Sequence, residues 1–337
     1  MVLATADQLG IKAEGTYKTR ETVDRFYEFI SFNFKPDLSI VDVPAIRAGG
    51  QWQRTDRTKR AVKGYTGSIE LPVTYKSMGL WLAHALGDDT VTTITGSARR
   101  HTITPSAGQV GKYMTIQGSI SDAGGTQNVF TYGGCKLTEW ELSCEVDGYL
   151  KLILGVDAAN GVTNTSLASA SYIASNDFWS WAEISAISFG GNALQASAFS
   201  VKGNQNLKAD RIGLGNTKRE PIPNGMGMVE ATIDVEWDGL TDYAKLLNGT
   251  TGALSIVFTS AAFITGSTPF VFSITIPAAN LMEYPVEKPG AEVPTLTMTL
   301  RGEYNGTDPI VTIVADNGDT SALSLIHISE PTRQAEI

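Results

Sequence analysis

The chain has 337 residues, 42% of them hydrophobic, and that length exceeds the usual span of one core, so two domains are expected. A formal net charge of −9 and a pI near 4.9 exclude a protein that grips nucleic-acid phosphate through a basic footprint. The start, Met1 to Asp7, lacks the basic and apolar regions of a secretory signal, and no segment has the roughly 18 apolar residues of a membrane helix, so a soluble protein without a membrane partner is expected.

Residues 1–24 are polar and mixed and read as an N-terminal arm. From Arg25 the pattern is strand-like: Phe26, Phe29, Phe32 and Phe34, then Leu38, Ile40, Val41 and Val43, ending at Pro44. The polar stretch Ala45 to Gly64 sets Arg47, Arg54, Arg57, Lys59, Arg60 and Lys63 against the single acid Asp56, and also holds Trp52. The chain returns as a strand from Ser68 to Tyr75, with Ile69, Leu71, Val73 and Tyr75 at period two. The result is a long hairpin with a basic, protruding loop. A short helix follows, with Met78, Leu82, Ala85 and Leu86 on one face and Gly87 as its stop. Strands are expected at 113–120, 129–132, 136–146 and 149–156. A small, polar stretch from Ala158 to Asn176 reads as a linker.

The plan then repeats. Phe199 to Lys202 resembles Phe32 to Lys35; the loop Ala209 to Met228 carries Arg211, Lys218 and Arg219; and a strand from Val229 to Val235 leads into a helix with Leu240, Tyr243, Ala244 and Leu247 at i, i+3, i+4 and i+7. The segment Gly67 to Gly87 aligns with Gly227 to Gly249, and Leu137, Glu139, Trp140, Leu152, Leu154 and Val156 match Leu281, Glu283, Tyr284, Leu296, Met298 and Leu300 without a gap. The expected fold is mainly β: two tandem homologous β-sandwich or half-barrel domains, 25–160 and 177–318, each with one short helix and a long hairpin, joined by the linker 161–176. Leu82, Leu86, Leu240, Tyr243 and Leu247 are the expected core contacts of the two helices. Such duplication suits a ring closed by repeated units.

No catalytic constellation stands above background, and neither a metal nor a cofactor is expected. His84 lies in the helix and His101 in an expected loop, neither with a ligand at metal spacing. The runs at Gly124, Gly133 and Gly190 read as turns and not phosphate loops. Glu139 and Glu141 share one strand face beside Trp140, a weak case for paired glycosidase carboxylates. Cys135 and Cys144 read as buried small hydrophobes. A β-sandwich adhesin or carbohydrate-binding protein, the alternative function, would place Trp179 and Trp181 on an exposed face. Leu323 to Arg333 looks like an in-frame translation of a sequencing-library adapter, so 319–337 is set aside as a non-native tail and His327 is given no role.

The order of hairpin with protruding loop, strand, helix Gly79 to Gly87, and strands through Gly133 to Cys144 resembles the tail tube (major tail) proteins of long-tailed bacteriophages over residues 25–318. The resemblance implies a β-sandwich flanked by a helix, related to type VI secretion tube rings, that self-assembles into rings stacked as a tube through which DNA is delivered without specific binding. It implies a non-enzymatic virion protein assembled in the host bacterial cytoplasm, with the tape measure and tail terminator as further partners. A duplicated chain suits homotrimers that imitate a hexamer. The ring-stacking candidates are Arg47, Trp52, Arg54, Arg57, Lys59, Arg60, Arg211, Lys218 and Arg219.

Overall fold

The computed structural model describes residues 7–320, except Gly49, Gln51, Ala107, Gly108, Asn164, Asp238, Glu287, Pro289 and Glu292. The proposed non-native tail, with His327, lies largely outside the described residues.

The fold is mainly β, a set of antiparallel sheets packed as a sandwich around one continuous hydrophobic core. The N-terminal half contains β1 (Leu9–Ala13), β2 (Arg25–Tyr27), β3 (Ser31–Asp42), β4 (Thr58–Pro72), α1 (Gly79–Leu86), β5 (Gly87–Thr95), β6 (Ala98–Pro105), β7 (Met114–Ser121), β8 (Gln127–Glu145), β9 (Lys151–Ala158) and β10 (Asn160–Val162). The C-terminal half contains β11 (Ile184–Phe189), β12 (Asn192–Ala193), β13 (Ala196–Asn204), the short β14 (Leu207–Lys208), β15 (Ile212–Gly213), β16 (Thr217–Lys218) and β17 (Ile222–Pro223), then β18 (Met228–Glu236), α2 (Leu240–Asn248), β19 (Gly252–Thr265), β20 (Thr268–Glu283), β21 (Thr295–Gly302) and β22 (Thr312–Asn317).

The two halves pair their strands in the same order. One sheet of the first runs β3-β4-β9-β8, and its counterpart runs β13-β18-β21-β20. The second sheet runs β1-β7-β8-β10 in one half and β11-β19-β20-β22 in the other. β8 and β20 each serve both sheets, so each must bend midway. In β8 the bend falls at Gly133-Gly134, where Gly134 has φ +60° and the ladder to β7 shifts register between Met114 and Ile116. The glycine pair is thus a kink inside a strand and not a turn, because a left-handed residue lets one strand change direction without ending.

The registers also correct the sequence alignment of the hairpins. Phe32 lies opposite Ile69 and Phe199 opposite Ile233. The strand counterpart of Gly67 is Ala231, since these residues face Val156 and Leu300, whereas the alignment through the helices gives Gly227. The link from strand to helix is shorter in the C-terminal half, and an even slip keeps the same residues on the core face.

Several elements differ from the sequence reading. Residues 9–13, placed in a loose arm, form β1 with Leu9 and Ile11 fully buried between β2 and β7. The linker is tied to the first half: Gln117 Nε2 donates to Ser166 O and Gln8 Nε2 to Ala168 O. His101 lies on β6 and not in a loop, and β6 joins β22 of the other half. The β5–β6 hairpin packs over α1, so α1 buries Leu80 through Leu86. Among the described residues no such hairpin is inserted after α2, which runs directly into β19. There Tyr243 and Leu246 turn inward with Trp237, while Leu240 and Leu247, expected in the core, are 69% and 70% exposed. The half-buried stripe keeps Tyr243 and takes Leu246 in place of Leu247, because α2 has a sheet on one side only.

Candidate assembly surface

β13 pairs with β8 from Ala198↔Glu145 to Asn204↔Glu139, fusing the first sheets of both halves into one of eight strands, β3-β4-β9-β8-β13-β18-β21-β20. At this junction Gly203 faces Trp140; a Cβ there would stand 2.5 Å from the indole, so the glycine lets the ring lie over the seam. One face of the sheet is apolar, with Ile69, Leu142, Leu154, Val201, Ile233 and Met298 buried. The other is polar, as alternation requires. On that face the acids Glu70, Glu139, Glu141, Glu145, Glu230, Asp234 and Glu236 outnumber Lys35, Lys151, Lys202 and Arg301.

Glu139 and Glu141 belong to this solvated face. Glu141 accepts from Ser200 Oγ at 2.7 Å and lies opposite Lys202; Glu139 lies opposite Gly155 and Asn204. Neither is set in an enclosed site.

The sheet ends in two edges. Among the described residues β3 pairs only with β4, and the Asn280–Glu283 end of β20 only with β21. β3 and β4 continue beyond the sheet as a hairpin arm paired out to Asp42↔Thr58. Arg47, Arg57, Lys59 and Arg60 are exposed on it, Arg54 pairs with Asp56 at 2.7 Å, and Trp52 is 83% exposed.

The corresponding loop of the C-terminal half is folded back onto the N-terminal half. Lys218 Nζ lies 2.6 Å from Asp157 Oδ1, both buried, and Glu220 Oε1 lies 2.6 Å from the Nζ of fully buried Lys136. Lys136 Nζ also donates to Gln109 O at 2.7 Å. Arg211 donates to Glu220 O, and Arg219 is exposed. Burial raises the Asp157 carboxyl against the opposing pull of Lys218, and burial lowers the Lys136 ammonium. The structure therefore does not group the stacking candidates: Lys218 is committed to an internal ion pair, whereas the first arm presents its bases to solvent. The signal in the sequence was a lone charge in each of two buried strands, Lys136 after Cys135 and Asp157 after Val156, which must find partners.

The remaining candidates fall in the interior. His84 Nδ1 meets Leu80 O at 3.0 Å, and burial lowers its pKa to about 4, so it is neutral. His101 is held between Asp89, 2.8 Å from Nδ1, and Asp319 O, 3.0 Å from Nε2. Cys135 and Cys144 are buried and free. Trp179 is in the core against Tyr75 and Phe258, so it cannot pair with the half-exposed Trp181 as a sugar platform. Among the described residues no group of three or more His, Cys, Asp or Glu could hold a metal ion.

A search of curated proteins finds no match for the chain. The family model described as phage tail tube protein matches residues 6–323, nearly the whole length. The chain therefore belongs to the phage tail tube protein family and is a structural protein of the virion tail, not an enzyme.

Proposed function

We propose that the chain self-assembles into rings that stack as the tail tube, and that DNA is delivered through the lumen. The observation that carries this reading is the eight-stranded sheet, whose internal β8–β13 junction joins strands matched in pairing order by its two free edges. With the segment that follows β20 in the place of the C-terminal end of β8 and β3 in the place of β13, a second copy continues the sheet; the register of Leu142 with Val201 then sets Phe34 beside the exposed Val286, just past β20. Repetition closes the sheet and removes both edges. The two halves act as copies of one module, so three chains give a ring that imitates a hexamer.

The polar face then lines the lumen. Its excess of carboxylates does not attract a polymer bearing one charge per about 1.7 Å of axis, which suits passage over binding. The exposed bases of the arm suit docking on acidic surface of the next ring. The tape measure and tail terminator are the further partners of the tube, and assembly takes place in the host bacterial cytoplasm.

Negative-stain microscopy of purified protein tests the reading, with six-fold-like rings or tubes expected; a strictly monomeric species at high concentration refutes it. Replacing Arg47, Arg57 and Arg60 together by Glu leaves rings and abolishes tubes. Unchanged tube length refutes the stacking role.

A further inference from the structure

In the N-terminal half a ledge at Val62, Gly64, Asp157 and Ala158 is filled by the C-terminal half's β13–β18 loop. Asn216 Nδ2 donates to Val62 O at 2.7 Å, and Lys218 Nζ reaches Asp157 and Ala158 O. The fit is close: a Cβ on Gly64 would stand 2.6 Å from Lys218 Nζ. The pairing registers, Thr66↔Asp157 and Glu230↔Arg301, align this ledge with Met226, Met228, Arg301 and Gly302 of the C-terminal half. No segment fills the aligned place among the described residues. A groove of about 980 Å³ stands open there, walled by Met226, Met228, Tyr304 and Ile310 and rimmed by Arg301 and Glu303. Met226 is 92% exposed.

We infer that this groove receives the β3–β4 loop of a second copy. The inference rests on the assembly proposed above and names where the arm lands. Three observations select the occupant. The filled ledge is occupied by the loop that joins β13 to β18, and the loop in the matching place of the pairing order joins β3 to β4. That second loop carries Trp52 and Ile46 in solvent, and a large exposed aromatic beside an empty apolar groove is the usual composition of an interface anchor.

Charge gives the third observation. Arg54 and Asp56 precede Gly64 by the same intervals at which Lys218 and Glu220 precede Met228, but the position aligned with Asp157 is the base Arg301, so on this rim the acid Asp56, and not Arg54, must meet it. Lys218 and Glu220 cross to an acid and a base of the other half; Arg54 and Asp56 instead pair with each other at 2.7 Å, as Arg301 and Glu303 do on the groove rim. Exchanging partners gives Asp56 to Arg301 and Arg54 to Glu303, at little cost because both present pairs are solvent-exposed. The register shift at Asp37/Leu38 lies where the arm leaves the sheet and supplies the bend.

The test combines Trp52→Ala, Met226→Arg and their double variant in a tube-assembly titration. Each single change is expected to raise the concentration needed for assembly at least about tenfold, as loss of an aromatic anchor does, and the double variant to do no worse than the worse single. A single variant that assembles like the wild type, or effects that multiply, overturns the inference while leaving assembly itself standing. A benzoylphenylalanine photocrosslinker replacing Trp52 should join residues 223–228 or 301–311 of another chain; crosslinks confined elsewhere overturn it too. Failure of the wild type to form any ring sinks the assembly reading first, before any variant is made.

Discussion

Replacing Lys218 by Met probes how the C-terminal half is fastened to the N-terminal half. The ammonium lies 2.6 Å from Asp157 Oδ1, with side-chain exposures of 7% and 4%, and Asp157 Oδ2 has no hydrogen-bond partner. Among the described residues Lys218 is thus the one side chain paired with this buried carboxylate. Deleting one partner of such a pair costs about 3–5 kcal/mol, because the other charge stays buried without its counterion. The Asp157 carboxyl is already raised by burial, with Lys218 opposing. Without Lys218 it rises further, so the variant's folded state favours the protonated acid. Its stability deficit is therefore small near the ordinary aspartate value of about 4 and grows as pH increases. Lys218→Met with Asp157→Asn removes both charges and recovers most of the loss. Urea denaturation at pH 5 and pH 7 measures this as a shift of midpoint at constant slope. A deficit under about 1 kcal/mol at pH 7, or a double variant as unstable as the sum of its singles, refutes the reasoning.

His101 supplies a second pH dependence. Burial lowers its pKa, but the bond to Asp89, the charge of Asp89 and the carbonyl of Asp319 outweigh burial and leave it raised. A raised folded value means the stabilisation is complete below the ordinary imidazole value of about 6.5 and is lost as pH rises through the folded one. His101→Gln should flatten that limb of the stability curve; an unaltered slope contradicts the assignment. The helices should respond unequally: Leu82→Ala, in a fully buried site, costs about 2–5 kcal/mol, and Leu247→Ala in the unassembled chain costs within about 0.5 kcal/mol, as surface changes do. Equal losses in chemical denaturation would place Leu247 in the core. Burial holds Cys135 far above the usual thiol range and Cys144 at about 11, so a thiol reagent should label neither before unfolding. Rapid labelling of native protein would contradict their burial.

Local patterns made parts of the fold legible. Ile69, Leu71 and Val73 alternate, and Met78, Leu82, Ala85 and Leu86 share one helical face before Gly87, so strand and helix could be read directly. The β5–β6 hairpin could not: its sequence is rich in Thr, Asp and Arg, and it is ordered by pairing with β22, more than two hundred residues away. β1 offers only Leu9 and Ile11 as apolar markers. On α2 the periodic stripe was visible, but the choice between Leu246 and Leu247 as the inward residue depends on Trp237 and on the absence of a covering hairpin. Lys218 read as one of three bases of a stacking loop, since its partner is 61 residues distant and only the tertiary fold brings the two together.

Those long-range contacts make the two kinds of junction in the proposed ring unequal. Inside a chain the seam has the β8–β13 ladder, the β6–β22 ladder, a hairpin over α1, and two ion pairs, Lys218–Asp157 with both partners buried and Lys136–Glu220 with its lysine buried. Between copies only the edge strands, the arm and its groove are present, and α2 has no covering hairpin. The covalent link keeps the internal seam at an effective concentration of order millimolar even in a dilute cell, whereas the seam between copies must form by mass action. In the proposed ring of three chains, half of the six seams thus form without association. The other half is left to an interface in which the Trp52 tip of the arm and an unfilled groove, not a finished core, hold the copies together, so ring closure rather than folding is the step that loss of Trp52 controls.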